Sequence, residues 1–254
     1  MLKMLYTDMR NILHNKGVKV CGFACLAYLI GNLLISIILL KVFDATLYAD
    51  EIVKLYPSIS VFVITAMTLT VYISEFTDGI IKNKMCSGAK RSSIFLAAEI
   101  SSAFMAFILT SIIQIVMLLV ALIFSEGFYN LTAAEVAFSY SELLVASTSI
   151  AMFSTSLIMI MGGKNISYVI GLGIAFVFRI IDMEVLDKLY PDYGICQLTG
   201  TKLKLYTFYD KYVPYAHCSG TPRWGMSSCV IGSVALIVIS LIIGMIAFEK
   251  KEIK

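Results

Sequence analysis

The chain has 254 residues, of which 59% are hydrophobic and only 15% are charged, and its mean hydropathy is +0.87. Soluble domains carry about 25% charged residues, so this composition excludes a single water-soluble core and predicts an all-α membrane protein with several spanning helices. The net charge of +3 is too small to indicate a nucleic-acid partner.

Residues 1–19 precede the first long apolar run. Between Met1 and Asn15, apolar residues recur at helical spacing, and polar residues such as Lys3, Asp8 and Arg10 lie on the other side. This pattern predicts an amphipathic helix that rests its apolar face on the boundary between headgroups and acyl chains. The alternative is a frayed basic tail whose charges only set the membrane topology.

A helix that crosses a bilayer needs about 20 largely apolar residues. We predict six spans, with the fifth shorter than the rest because charged residues interrupt its end. The first span is longer than the apolar core of a signal peptide, which has roughly 7–15 residues, so we expect it to be retained. The six are Val20–Leu40, Pro57–Ser74, Ile94–Phe124, Glu142–Met161, Ile166–Ile181 and Met226–Phe248.

Basic residues are concentrated in alternate connections between these spans. They occur in the N-terminal segment, between spans two and three, in the short connection after span four, and in the C-terminal tail. Because short loops rich in Lys and Arg stay in the cytoplasm, we predict a multi-pass protein of the cell membrane with both termini cytoplasmic. The long segment 182–225 is then on the outside.

The connection between spans two and three reads as a short capped helix at 75–88. Glu75 and Asp78 lie at its start, and Lys82 and Lys84 lie near its end, as the helix dipole favours. A tight turn would connect two spans more simply, so we interpret this segment as a docking surface for a partner. The alternative is a solvated extension of span two.

The outer segment 182–225 is rich in aromatic residues and prolines. Such a composition is typical of an interfacial cap or a re-entrant piece at the level of the headgroups, and equally of an ordinary folded loop. Cys196 and Cys218 both lie in it, so a disulfide between them is possible, although spacing alone fixes no geometry. The aromatic residues are Tyr190, Tyr193, Tyr206, Phe208, Tyr209, Tyr212, Tyr215 and Trp224.

Two ionisable residues fall within the predicted spans. Glu99 lies early in span three and Arg179 lies late in span five, so we expect each to reach the interface or to pair with another polar group. The chain has no phosphate-binding loop, no catalytic motif of a hydrolase and only two histidines. It therefore carries no predicted metal site, cofactor or catalytic residue.

The stretch "YISEFTDGIIKNKMCSGAKRSSIFLA", Tyr72–Ala97, resembles the end of span two in membrane subunits of ABC-2-type ABC transporters. The amphipathic N-terminus, six spans and large outer segment resemble the same family, so the resemblance implies an ABC-2, type V exporter-like permease fold in one domain, 1–254. In that family the helix after span two couples to the ATPase. The resemblance places that role on Glu75, Phe76, Asp78, Gly79, Ile80, Lys82, Asn83 and Lys84.

The resemblance further implies a separate ABC ATPase chain that binds ATP and Mg²⁺, and a second permease subunit that is identical or homologous. The chain itself is then not an enzyme. Its size is similar to that of permeases that export antimicrobial peptides or give immunity to them, so the expected substrate is an amphipathic peptide or a lipid-like molecule. The alternative is a membrane sensor or immunity protein that binds a peptide without transporting it.

Overall fold

The computed structural model describes residues 2–43, 46–191, 196–219 and 226–251, and within these ranges the chain is helical and has no β-strand. The all-α class predicted from the sequence is confirmed. The helices are α1 (Leu2–His14), α2 (Lys16–Val42), α3 (Ala49–Thr77), α4 (Ile80–Cys86), α5 (Arg91–Phe124), α6 (Ala133–Met161), α7 (Ile166–Leu189), α8 (Gly200–Tyr212) and α9 (Met226–Lys250), with a 3-10 turn at Ala216–Ser219.

Five of these helices, α2, α3, α5, α6 and α9, are long and apolar enough to cross a membrane. They are compatible with a multi-pass membrane protein. Helices α3 and α6 form the centre, since most of the apolar stretch in each is buried inside the protein. In α2 only 11% of that stretch is buried, and in α5 and α9 28% is buried, so these three present apolar surface outward.

Helices α3 and α6 begin well before the spans predicted within them. α3 begins at Ala49, and Pro57 lies inside the helix. The added turns are stabilised by tertiary contacts, because Ile52 and Tyr56 are buried in the core and the Asp50 carboxylate accepts two backbone N–H groups from the loop that follows α5. Apolar run length alone cannot reveal such contacts.

At the start of α6, the Thr132 hydroxyl accepts the N–H of Glu135, and the Glu135 carboxylate accepts the N–H of Thr132. This capping box satisfies two N–H groups at the helix terminus. The helix therefore begins at Ala133, nine residues before the predicted start of span four. Glu135, Ser139 and Ser141 interrupt the apolar residues of these first turns, so the uninterrupted apolar run begins later than the helix.

The fifth predicted span lies in α7, which is not one of the five helices that meet the length and composition expected of a span. The helix α7 continues without a break past Ile181, the predicted end of the span, to Leu189. Asp182 is buried inside the helix and its Oδ2 accepts a hydrogen bond from Arg179 Nη1 at 3.0 Å. The ion pair, one turn apart, offsets part of the cost of burying the Asp182 carboxylate.

Candidate functional site

The connection between α3 and α5 contains a helix of seven residues rather than the single helix predicted at 75–88. Glu75, Phe76 and Thr77 belong to α3, and α4 begins at Ile80. Gly79 separates the two helices with a φ of +69°, a left-handed conformation that costs little only for glycine. The chain therefore changes direction between Glu75 and Lys84 and brings their side chains together.

Lys84 fastens α4 to two other helices. Its Nζ lies 2.8 Å from Glu75 Oε2 on the last turn of α3 and 2.6 Å from Asp8 Oδ1 on α1. All three groups are largely withdrawn from solvent, since Asp8 and Glu75 are at most 2% exposed and the Lys84 side chain is 11% exposed. We call Asp8, Glu75 and Lys84 the ionic triad.

The electrostatics of the ionic triad favour a charged lysine. Burial of the Lys84 ammonium opposes its charge, but attraction from the carboxylates of Glu75 and Asp8 outweighs burial and raises the pKa of Lys84 above its usual 10.5. Burial of the Asp8 carboxyl raises its pKa above the usual 3.8, and the attraction of Lys84 only partly opposes this. The carboxylates of Asp8 and Glu75 therefore share the Lys84 ammonium group as their positively charged partner.

The opposite face of α4 is exposed. Ile81 is buried beneath the helix, whereas Lys82 and Asn83 point to solvent. The residues predicted to contact an ATPase therefore divide into three groups: exposed (Asp78, Lys82, Asn83), half-buried (Phe76, Gly79, Ile80), and buried in or mostly buried by the ionic triad (Glu75, Lys84). Glu75 and Lys84 hold the helix in place, and docking by the exposed group stays a prediction.

Helix α1 ends at His14, and α2 begins at Lys16, so the amphipathic segment 1–19 contains a helix boundary. The predicted polar side of α1 is wrong for Asp8, which is fully buried beside Ile12, while Tyr6 and Leu13 are exposed. Helical periodicity treats an aspartate as a solvent-facing residue. Here a lysine distant in the sequence supplies its charge partner, which no local pattern reveals.

Further contacts tie the helix ends around α4 together. Gly163, at a φ of +71°, leaves no room for a side chain because Phe76 packs directly against it. Arg91 Nη1 donates to the carbonyls of Glu249 and Lys251, and Lys251 Nζ donates to the carbonyl of Ile160. The ends of α3, α6 and α9 and the start of α5 therefore lie at one end of the bundle, together with α1 and α4.

The opposite end of the bundle is closed by aromatic packing. Phe178 of α7 stacks on Tyr215 with ring centres 4.4 Å apart, and the Tyr209 hydroxyl donates to the Phe178 carbonyl at 2.8 Å. The described part of segment 182–225 therefore contains the end of α7, α8 and the 3-10 turn, and it packs into the bundle. Tyr193 and Trp224 lie outside the described residues.

The 3-10 turn inserts polar groups into the bundle. His217 is 2% exposed, and its Nδ1 lies 3.6 Å from Glu142 Oε2 of α6. The disulfide considered between Cys196 and Cys218 is not formed in the structure, where both thiols are free. Cys218 is buried in the core and its Sγ donates to the carbonyl of Pro214, so local packing accounts for its burial.

A third polar group lies between helices α5, α6 and α9. Ser156 Oγ is 2.6 Å from Glu99 Oε1 and 2.9 Å from the carbonyl oxygen of Ser240. Glu99 is fully buried and pairs with Ser156, and Arg179 pairs with Asp182, so both ionisable residues pair with another polar group, as expected. Gln114, also in α5, is buried and donates to the carbonyl of Tyr140 at 3.3 Å.

Among the residues that the structure describes, no three His, Cys, Asp or Glu side chains are grouped to hold a metal ion. The described residues therefore form an all-helical protein with helices compatible with several membrane crossings. Its buried polar side chains form ion pairs and hydrogen bonds that connect one helix to another. No family model, no curated protein and no solved structure matches this chain.

Proposed function

We propose that this protein is the membrane permease subunit of an ATP-driven transporter of the ABC-2 type and that it acts with a separate ATPase chain. The observation that carries the proposal is the arrangement of α4. Its inner side is fastened by Lys84 to α1 and α3, and its outer side exposes Lys82 and Asn83. A short helix held on one side and open on the other suits a docking contact.

In this proposal α4 transmits force into the membrane helices. A partner that displaces α4 displaces α3 through Glu75 and α1 through Asp8, because both carboxylates bind the same ammonium group. α3 is one of the two central helices, so its movement reaches most of the bundle. The ATPase supplies the ATP and Mg²⁺ chemistry, and this chain supplies the moving path.

The proposal includes α7 as a sixth membrane span. Its 24 residues rise about 36 Å, which exceeds the ~30 Å hydrocarbon core of a bilayer. Tyr168 near its start hydrogen bonds with Thr70 near the end of α3, Phe178 at its middle stacks on Tyr215, and Tyr190 directly after its end donates to Asp210 of α8. With six spans both termini lie on one side, which we propose is the cytoplasm.

The expected substrate is apolar or amphipathic, such as an antimicrobial peptide. A groove of about 670 Å³ lies between α2, α3 and α7, and its lining includes Tyr28, Phe62 and Phe176 but no charged side chain. Such a surface favours an apolar ligand over an ion. The resemblance to ABC-2 permeases implies that a second subunit, identical or homologous, completes the path.

Charge reversal at two exposed residues, Asp78 just before α4 and Lys82 on α4, tests the proposal. The double variant Asp78→Lys with Lys82→Glu is expected to lower both the recovery of a P-loop ATPase in mild detergent and the ATP hydrolysis of the purified complex by about tenfold. The matched control, Asp187→Lys with Lys202→Glu, reverses two exposed charges at the other end of the bundle. Equal recovery and hydrolysis for both variants would reject the ATPase partner.

The alternative, a sensor or immunity protein that binds a peptide without transport, is motivated by the aromatic packing around α8. The same purification separates the two functions. A chain that binds an amphipathic peptide but recovers no ATPase, and whose deletion leaves peptide transport unchanged, would favour the sensor.

A further inference from the structure

A second cavity lies at the end of the bundle opposite α4. Its volume is about 580 Å³, it lies between α6, α7, α9 and the segment from Phe208 of α8 to Tyr215, and its lining is almost wholly apolar. Five aromatic side chains contribute, from Phe153 at its deep end to Phe208 and Tyr212 of α8. None of these groups takes part in the ionic triad or the α4 surface.

The cavity opens sideways along α9. A shallow apolar groove on α9, formed by Val230, Val234 and Val238 among others, shares Ile231, Ala235 and Ile239 with the cavity. Ile231 and Ile239 are more than half exposed, and α9 is long and apolar enough to cross a membrane. The entrance therefore faces the region where acyl chains would lie.

The dimensions fit one leaflet of a bilayer. Residues 230–239 of α9 rise about 14 Å along the helix axis, close to half of the ~30 Å hydrocarbon core. A groove parallel to a spanning helix has the same direction as the acyl chains of the surrounding lipid. Its shape therefore suits a single chain that runs along α9 and ends among the aromatic rings.

Two lysines of α8 lie next to aromatic residues that line the cavity. Lys204 lies four residues before Phe208, which places both on one face of α8. Phe208 packs on Tyr212 with ring centres 5.4 Å apart, and Lys211 Nζ lies 5.4 Å from the centre of the Tyr212 ring. Lysines beside an apolar slot attract an anionic headgroup, each by about 1 kcal/mol near a charged membrane surface.

We propose that this cavity is a binding site for an anionic phospholipid, with one acyl chain along α9 against the aromatic rings and the headgroup at Lys204 and Lys211. The site is independent of an ATPase and of the substrate path. It gives the segment between α7 and α9 a function in fixing the protein to one leaflet.

The test uses the full chain in nanodiscs that contain equal amounts of phosphatidylglycerol and phosphatidylcholine, followed by detergent extraction and native mass spectrometry of the retained lipid. The wild-type protein is expected to retain phosphatidylglycerol about tenfold more than phosphatidylcholine. Ala235→Trp fills the cavity and is expected to lower lipid retention about tenfold. Ile243→Trp, on the exposed surface of the same helix but outside the cavity, is expected to retain lipid normally.

A second pair of variants tests the headgroup without touching the cavity. Lys204→Gln with Lys211→Gln is expected to abolish the preference for phosphatidylglycerol. Lys202→Gln, on a different face of α8, is expected to leave it unchanged. Equal retention of the two lipids by the wild-type protein would overturn the proposal. So would unchanged retention in Ala235→Trp, or a wild-type dimer that this substitution converts to monomers.

Discussion

The two ends of the bundle are held together by different chemistry. At one end, Lys84 joins α1, α3 and α4 through two buried carboxylates. At the other, aromatic rings such as Phe178 and Tyr215 stack where α7 meets the 3-10 turn. The ion pairs of Lys84 are lost when its ammonium group loses its proton or when the lysine is replaced. Aromatic packing is the sum of many small contacts, so the loss of one contact matters less. Stability at the charged end should therefore depend on the single side chain of Lys84, whereas no single aromatic ring should matter as much at the other end.

The largest effect is expected from Lys84→Met, which keeps the length of the side chain and removes its charge. Asp8 and Glu75 would then be two buried carboxylates without a cation. Breaking a buried ion pair in this way lowers the free energy of unfolding by about 3–5 kcal/mol. Thermal unfolding of the purified protein in detergent, with α1 and α4 followed by hydrogen exchange, measures the change.

Lys82→Met is the matched control, because it makes the same substitution two residues away on the exposed face of α4. Surface changes of this kind stay within about 0.5 kcal/mol. A similar loss of stability in both variants would show that stability depends only on the total charge of α4. The ion pairs of the ionic triad would then make no specific contribution.

At the aromatic end, the substitution expected to reduce stability most is at Gly232, where a side chain would collide with the backbone of α8. A Cβ on Gly232 of α9 would lie 1.7 Å from the carbonyl oxygen of Tyr212, so Gly232→Ala forces α8 and α9 apart. We expect a loss of about 3 kcal/mol, at the upper end of overpacking effects, because a backbone atom cannot rotate away.

Gly173→Ala on α7 provides the comparison in a thermal unfolding measurement. A Cβ there meets nothing within 4 Å, so the substitution is expected to be neutral or stabilising by up to about 1 kcal/mol through helix propensity. Equal melting temperatures for the two alanine variants would contradict the close packing of Tyr212 on α9.

The positions of the helices could be predicted from the sequence far better than the ion pairs and hydrogen bonds that connect them. A helix does follow span two, but it covers Ile80–Cys86 and not 75–88, and Glu75 belongs to α3. The helix dipole acts along one helix, so it does not reveal that Glu75 and Lys84 share an ion pair with Asp8 on α1. Similarly, Arg179 and Asp182 mark the end of an apolar run, but the length of that run does not show that the two residues pair within a longer helix. Patterns within one segment reveal only interactions within that segment. The geometry of the candidate site depends on contacts between residues that are distant in the sequence.

Between the two ends, Ser156 offers a test of whether buried carboxyls elsewhere also depend on one partner. Ser156→Ala removes the hydroxyl next to Glu99 and leaves the carboxyl without its hydrogen bond. An unsatisfied buried polar group costs about 1–3 kcal/mol, so we expect a loss near 2 kcal/mol in thermal unfolding.

Ser154→Ala on the same helix is the control, because Ser154 is also buried but its hydroxyl donates only to the carbonyl of Ile150 in its own helix. We expect a change below about 1 kcal/mol there. If Ser154→Ala is as harmful as Ser156→Ala, the cost lies in packing and not in the hydrogen bond to Glu99.

The smallest effect is the dependence on alkaline pH that Lys84 contributes at the charged end. Because the pKa of Lys84 in the folded protein is raised above 10.5, its contribution to stability is complete below pH 10.5 and is lost as the pH rises through the folded pKa. In that window the free energy of unfolding should fall by at most about 1.4 kcal/mol per pH unit.

Other lysines and tyrosines titrate in the same range, so the informative quantity is the difference in unfolding free energy between the wild-type protein and Lys84→Met, measured at several pH values. That difference should be constant at neutral pH and shrink above pH 10.5. Gly232→Ala, which acts through backbone packing at the aromatic end, should instead differ from the wild type by the same amount throughout. A difference for Lys84→Met that does not change with pH would mean that Lys84 stabilises α4 through its alkyl chain and not through its charge.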